Sequence, residues 1–227
     1  MSLKTVGTRV ITTIRFKKAN PIKWEEFQEH LKSLEIEQFG QGEAATADGR
    51  KLPALAALHK DGQILYIPES QEVMSLGQEL EPSLRLFREV LRIITEIVGS
   101  QEKLKGKVAW YELQFQAEVE PDLATPMEIM TYITPPGLYD PFEKVLQVGK
   151  LTMFQYRFVF TPSEFEGTIR QTVPWYDVQF FPEIENPDRF IVHVICRDTI
   201  SETAIKRCEI LTQDTLRFIE EKEREAA

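Results

Sequence analysis

The sequence contains little of what most catalytic and metal sites require. Its 227 residues include only three histidines and two cysteines, and no H-x-x-x-H, C-x-x-C or G-x-S-x-G motif occurs. Such spacings place metal ligands, or an activated serine, within reach of one another. We therefore expect no metal, no cofactor and no standard hydrolytic centre, and we interpret the protein as non-enzymatic.

The chain also lacks a long apolar run and an excess of positive charge. No stretch approaches the ~20 apolar residues that span a bilayer, and the opening MSLKTVGTRV has no hydrophobic signal core. The net charge of −9 repels phosphate backbones and anionic lipid. We therefore expect a cytoplasmic protein that does not bind membranes, with nucleic acid disfavoured as a partner.

One basic run near the N terminus is the exception to this charge balance. Arg9, Arg15 and Lys17 have odd numbers on a predicted strand, so they share one strand face. Such a face could hold a phosphate backbone, and binding would then depend steeply on salt. The alternative, which the overall acidity favours, is a solvated strand face whose charges hinder edge-to-edge aggregation.

The two cysteines are too few for a disulfide framework. Cys196 ends an apolar strand, and Cys208 lies on the apolar stripe of the last predicted helix. Both are interpreted as small buried hydrophobic residues in a reducing compartment.

A pattern that occurs twice dominates what the sequence does contain. A β-hairpin runs into a long amphipathic helix at residues 54–99 and again at 176–225. The first copy has Asp61-Gly62 at its turn and a helix from Pro82 to Val98 that ends at Gly99. A joint at 101–107 would divide an internal duplication into two α+β halves, 1–102 and 103–227, that share a core. The alternative is a single α+β domain whose similar pieces arose by coincidence.

The remaining elements fit the α+β class, with antiparallel sheets and helices packed on one face. Alternating apolar residues predict strands at 10–17, 109–119 and 154–160. Residues 37–53 are predicted to be a loop, with a short strand near Phe39 as the alternative, and residues 68–79 a connector. Thr125 and Thr199, each followed three residues later by glutamate, are predicted to form capping boxes at helix starts.

The final hairpin provides one polar constellation. With 182–188 as its loop, Tyr176 faces Val194, and Asp177 comes level with His193. Arg157 occupies a polar position on the preceding strand. A carboxylate that orients an imidazole is the base half of many hydrolytic sites, but no nucleophile accompanies it. The simpler interpretation is a solvated sheet face, so we predict no catalytic residues.

Aromatic residues provide the strongest functional expectation. Trp110 and Trp175 fall on nominally polar strand faces, and Tyr111 is adjacent to Trp110. Tryptophan on an outward face is typical of a covered surface, so we expect these three to bind a protein partner or a second copy in a homo-oligomer. The alternative function is a small-molecule-binding or hydrolytic protein with an apolar, aromatic-lined cavity and the Arg157, Asp177 and His193 cluster.

Overall fold

The computed structural model describes residues 3–18, 21–45, 51–146, 151–160 and 173–227. Within these ranges it has nine strands and six helices. The strands are β1 (Lys4–Phe16), β2 (Ile36–Ala45), β3 (Lys51–His59), β4 (Gly62–Ile67), β5 (Glu72–Gly77), β6 (Val108–Glu120), β7 (Tyr156–Phe160), β8 (Trp175–Pro182) and β9 (Phe190–Asp198). The helices are α1 (Trp24–Leu31), α2 (Leu80–Val98), α3 (Gln101–Lys107), α4 (Pro126–Ile133), α5 (Asp140–Leu146) and α6 (Ser201–Ala226).

All nine strands form one antiparallel sheet in the order β2-β3-β4-β5-β1-β6-β9-β8-β7. The two long strands β1 and β6 are adjacent at its centre. The strand that precedes each long helix, β5 before α2 and β9 before α6, lies directly outside them. The predicted α+β class is confirmed, with one continuous sheet.

One face of this sheet carries the main core. Alternate residues of β1 and β6, such as Ile14 and Leu113, are fully buried on it. Helix α2 packs there on β1 and β5, and α6 packs on β6 and β9. Each Leu, Ile or Phe buried completely in this layer stabilises the fold by about 1.5–3 kcal/mol. Helices α1 and α4 add Phe27 and Ile129 to the same cluster, which includes residues from both ends of the sequence.

Two segments predicted to be irregular are largely regular. Residues 36–45, where a loop with at most a short strand near Phe39 was predicted, form the whole of β2, and β3 begins at Lys51, ahead of the predicted strand at 54–58. Residues 72–77 form β5 where a connector was predicted. Backbone hydrogen bonds to the neighbouring strands hold these segments extended, and their own sequences, which are poor in apolar residues, do not predict a strand. The predicted joint at 101–107 is the short helix α3, capped by Ser100. The Asp61-Gly62 hairpin is confirmed, and Gly62 has a positive φ of 150°.

The predicted register of the last hairpin is wrong by two residues. Tyr176 pairs with Cys196 rather than Val194, because β8 continues to Pro182 opposite Phe190, and the Glu183 N–H donates to the Arg189 carbonyl. A shift of two leaves each residue on its predicted face.

The two predicted capping boxes have different outcomes. The box of Thr125 and Glu128 is present at α4. The box at Thr199 is absent: α6 begins at Ser201 behind Ile200, and no side chain caps it. None of the helices in the described ranges is long and apolar enough to cross a bilayer.

Candidate functional site

The face of the sheet opposite α1, α2, α4 and α6 carries the unusual chemistry of this protein. We call it the second face. Thr13, Glu112 and Arg197 are neighbours on it, in a row across β1, β6 and β9. All three are buried, although polar side chains on an ordinary outer sheet face are solvated.

Arg197 is the centre of this row. Its Nε donates to Glu112 Oε2 over 2.7 Å, and its second guanidinium nitrogen lies 2.5 Å from the same oxygen. The guanidinium carbon sits 4.7 Å from the ring centroid of Trp110 and 4.9 Å from that of Trp175. A planar cation this close to two indole rings gains cation–π attraction from each.

The two tryptophans therefore lie on the predicted face of the sheet. Their rings pack against Arg197 rather than standing free in solvent. Trp175 is only 8 % exposed, and its indole N–H has no hydrogen-bond acceptor among the described residues. Trp110 is half-buried. The sequence did not predict a role for Arg197. It lies near the end of β9, and the alternating apolar residues of that strand indicate only the opposite, core-facing side. Its pairing with Glu112 depends on a contact 85 residues apart.

Tyr111 lies on the opposite side of the sheet from Trp110. It is 4 % exposed, and burial raises the pKa of its hydroxyl to about 12. The three residues expected to bind a partner are thus divided between two faces, because consecutive residues of a strand point in opposite directions.

The polar constellation of Arg157, Asp177 and His193 is only partly assembled. Arg157 donates to both oxygens of Asp177, over 3.0 Å from Nε and 2.6 Å from its terminal nitrogen. The Asp177 side chain is 2 % exposed and Arg157 is 47 % exposed.

His193 pairs with Gln179 across the strands, and its Nδ1 lies 2.9 Å from the Gln179 amide nitrogen. Burial lowers the pKa of His193, and the nearby Asp177 charge opposes that shift. No hydrogen bond between Asp177 and His193 occurs among the described contacts, so the geometry supplies an ion pair and an amide–imidazole pair rather than an oriented base.

Of the hydroxyls near this cluster, Tyr176 lies on the core face and donates to Asp198 over 2.5 Å. Thr152 lies 3.4 Å from the Thr131 hydroxyl. Thr172 falls outside the described residues.

A row of apolar side chains crosses the second face beside Arg197. In register order across eight strands its positions are Leu58, Gln63, Leu76, Ile11, Gln114, Ile195, Asp177 and Val159. We call the five apolar members, Leu58, Leu76, Ile11, Ile195 and Val159, the apolar row. Its ends are open to solvent, with Leu58 42 % and Val159 39 % exposed. Seven strand spacings give it a length of about 34 Å.

Most of the described charges on the second face are matched in pairs. Arg15 lies 2.5 Å from Glu72, Arg189 lies 3.1 Å from Glu118, and Lys4 lies 3.1 Å from Glu120. With the pairs of Arg197 and Arg157, these balance five cations against five anions, although the whole chain carries −9. Of the predicted basic run, Arg15 is thus neutralised by Glu72, and Arg9 is exposed.

Metal binding finds no support within the described ranges, where no group of three or more His, Cys, Asp or Glu side chains could hold an ion. Comparison with known proteins adds no functional information: no family model matches the chain, and no curated protein matches it significantly.

Proposed function

We propose that the protein is a non-enzymatic, cytoplasmic interaction protein that assembles with a second copy of itself through the second face. The observation that carries this proposal is the apolar row, which crosses eight strands between paired charges. A surface of this kind, apolar at its centre and polar at its rim, is the usual anatomy of a protein–protein interface.

The length of the apolar row favours a protein as the occupant. A row of about 34 Å exceeds the dimensions of a small-molecule pocket and suits an interface of about 800 Å² per partner. The five apolar side chains would supply the attraction, and the three polar positions within the row would set the register of the partner.

The charge balance favours a second copy over an unrelated partner. Two chains that each carry −9 repel one another over most of their surfaces. The second face is where that repulsion is smallest, since its described acidic side chains are matched by Lys4 and four arginines. In a dimer with a two-fold axis, the second face of one chain would also contact the second face of the other, so each contact would occur twice.

The cysteines support the cytoplasmic part of the proposal. Cys196 and Cys208 are both free and buried, and their side chains are hydrogen-bonded to each other. That contact and burial raise the pKa of Cys196, so the thiol stays protonated and unreactive. Free, adjacent thiols suit a reducing compartment.

The topology supports an internal duplication as the origin of this architecture. After the part of α3 that opens the second half, each half, 1–102 and 103–227, has a long central strand, one or two helices, further strands and a final long helix. Antiparallel contact between β1 and β6 is what a local two-fold axis between two copies would produce. An experimental structure in which β1–α2 and β6–α6 fail to superpose would refute the duplication.

Sedimentation velocity over a range of protein concentrations tests the proposed assembly. Leu58→Glu and Val159→Glu place a carboxylate at either end of the apolar row, where a dimer would desolvate it. Because unfavourable interface charges cost several kcal/mol, each variant should weaken self-association by about 100-fold.

Ile210→Glu is the matched control, since Ile210 is 37 % exposed on α6, on the other side of the sheet. It should associate like the wild type. A wild type that is monomeric at every concentration, or an Ile210→Glu variant weakened as much as the other two, would refute assembly through the second face.

A further inference from the structure

A cleft on the helical side of the sheet is separate from the second face. It lies between α2, α3 and the beginning of α6, and its volume is about 440 Å³. That volume falls in the usual range for small-molecule sites and holds roughly fifteen non-hydrogen atoms. Leu91, Leu104 and Ile200 provide apolar parts of its lining.

The N terminus of α6 opens into this cleft without a side-chain cap. The cap position is Ile200, whose side chain has no acceptor, and residues 199–202 line the cleft. The Asp198 carboxylate accepts from the Ile200 N–H, whereas the first-turn N–H groups of residues 201–203 have no acceptor among the described contacts. A helix of 26 residues presents partial positive charge at such an end.

Tyr111 supplies an independent polar group at the same place. Its side chain lines the cleft, it is 96 % buried, and its hydroxyl has no hydrogen-bond partner among the described contacts. The hydroxyl oxygen keeps some solvent contact, since it is not one of the buried polar atoms that lack a partner in the described residues. Tyr111 therefore offers the cleft a hydrogen-bond donor, which a water or a ligand atom can accept.

Cations flank these donors. Lys105 lines the cleft and forms no ion pair in the described contacts. Arg88 lines it too, with its nearest carboxylates, Glu202 and Glu209, at the long distances of 3.8 and 3.9 Å. Arg92 is committed to Glu89 and Glu96. Lys105 is thus available to a bound anion, and Arg88 could exchange its two long ion pairs for one. Glu96 and Glu202 also line the cleft, so its three cations face two carboxylates.

We propose that this cleft binds a small organic anion whose carboxylate or phosphate head group accepts hydrogen bonds from the first turn of α6 and from Tyr111. Lys105 and Arg88 neutralise the head group. The body of the ligand is apolar and packs on Leu91, Leu104 and Ile200. A bare inorganic ion would leave these apolar walls and most of the cleft volume unfilled.

Amide chemical shifts in the full-length, ¹⁵N-labelled protein test the proposal with three probes. Benzoate and phenyl phosphate carry the two head groups, and benzamide is the uncharged analogue of benzoate. Benzoate or phenyl phosphate should shift the amides of residues 201–203 saturably, with a Kd of about 1 mM, which is ordinary for ligands of this size. The tighter of the two identifies the head group, and benzamide should leave these amides unshifted.

Two substitutions separate specific contacts from general electrostatics. Tyr111→Phe removes only the hydroxyl and should weaken anion binding about tenfold, because hydrogen bonds to charged groups are strong. Lys105→Gln should weaken it similarly. Lys103→Gln, which makes the same charge change on α3 outside the cleft lining, should have little effect.

Three results would each overturn the proposal. The first is no saturable shift at residues 201–203 from either anion at about ten times the expected Kd. The second is benzamide binding as tightly as benzoate. The third is wild-type affinity in both Tyr111→Phe and Lys105→Gln. None of these results bears on self-association through the second face.

Discussion

Replacing Arg197 with methionine should destabilise the protein more than removing one charge from any other described ion pair. The substitution removes the cation between Trp110 and Trp175 and leaves Glu112, which is 6 % exposed, without its main partner. Breaking a buried ion pair costs about 3–5 kcal/mol, and each lost cation–π contact adds about 0.5–1 kcal/mol.

One contact moderates this loss. The Gln114 amide still donates to the other carboxylate oxygen of Glu112 over 2.7 Å. We therefore expect a decrease of about 4 kcal/mol in the free energy of unfolding. That is a large part of the ~5–15 kcal/mol that stabilises an ordinary domain.

Urea denaturation at a fixed protein concentration measures the effect as a lower midpoint with an unchanged slope. Arg217→Met is the control, because the Arg217–Asp214 pair is 64 % and 57 % exposed, and breaking it should cost less than ~1 kcal/mol. The double variant Glu112→Gln/Arg197→Met should be less destabilised than the sum of its single changes, by about 2 kcal/mol. An Arg197→Met variant within ~1 kcal/mol of the wild type, or strict additivity in the double variant, would show that the buried pair is not coupled as the geometry implies.

Two further expectations concern His193 and the glycines. Because burial lowers the pKa of folded His193, the unfolded chain takes up its proton first as the pH falls through about 6.5. Stability should therefore fall between about pH 7 and pH 5. His193→Gln, which can still bond to Gln179, should flatten that part of the profile; identical urea midpoints against pH in both proteins would contradict this. Gly62→Ala should cost about 2 kcal/mol or more, since a Cβ at φ 150° would lie within 2.2 Å of the Leu76 carbonyl oxygen. Gly106→Ala in α3 meets open space and should stabilise the helix by about 0.5–1 kcal/mol; thermal midpoints that move in the same direction for both would be inconsistent with the backbone geometry.

The sequence predicted best those elements that bury one face and have clear ends. The apolar stripe of α2 and its stop at Gly99 predicted that helix to within two residues at its start, and strict alternation predicted β6. Strand β5 was missed and β2 was expected as at most a short strand near Phe39, because their pairing with neighbours rather than their own composition makes them regular. The missing cap at Thr199 shows that a local motif does not form when the helix starts elsewhere.

The candidate site was only partly predictable for a similar reason. Period-two alternation placed Trp110, Asp177 and His193 on the correct face. Alternation does not tell which residues of neighbouring strands lie opposite one another. The structure was therefore needed to show that Asp177 pairs with Arg157 rather than with His193, and that Arg197 lies at the centre of the polar row.

The molar mass of the wild-type protein in solution tests the proposed assembly most directly. Size-exclusion chromatography with light scattering, run from low to high concentration, should give twice the mass of the 26.3 kDa chain at high concentration and a fall towards one chain on dilution. A mass of one chain throughout the range would contradict assembly with a second copy through the second face.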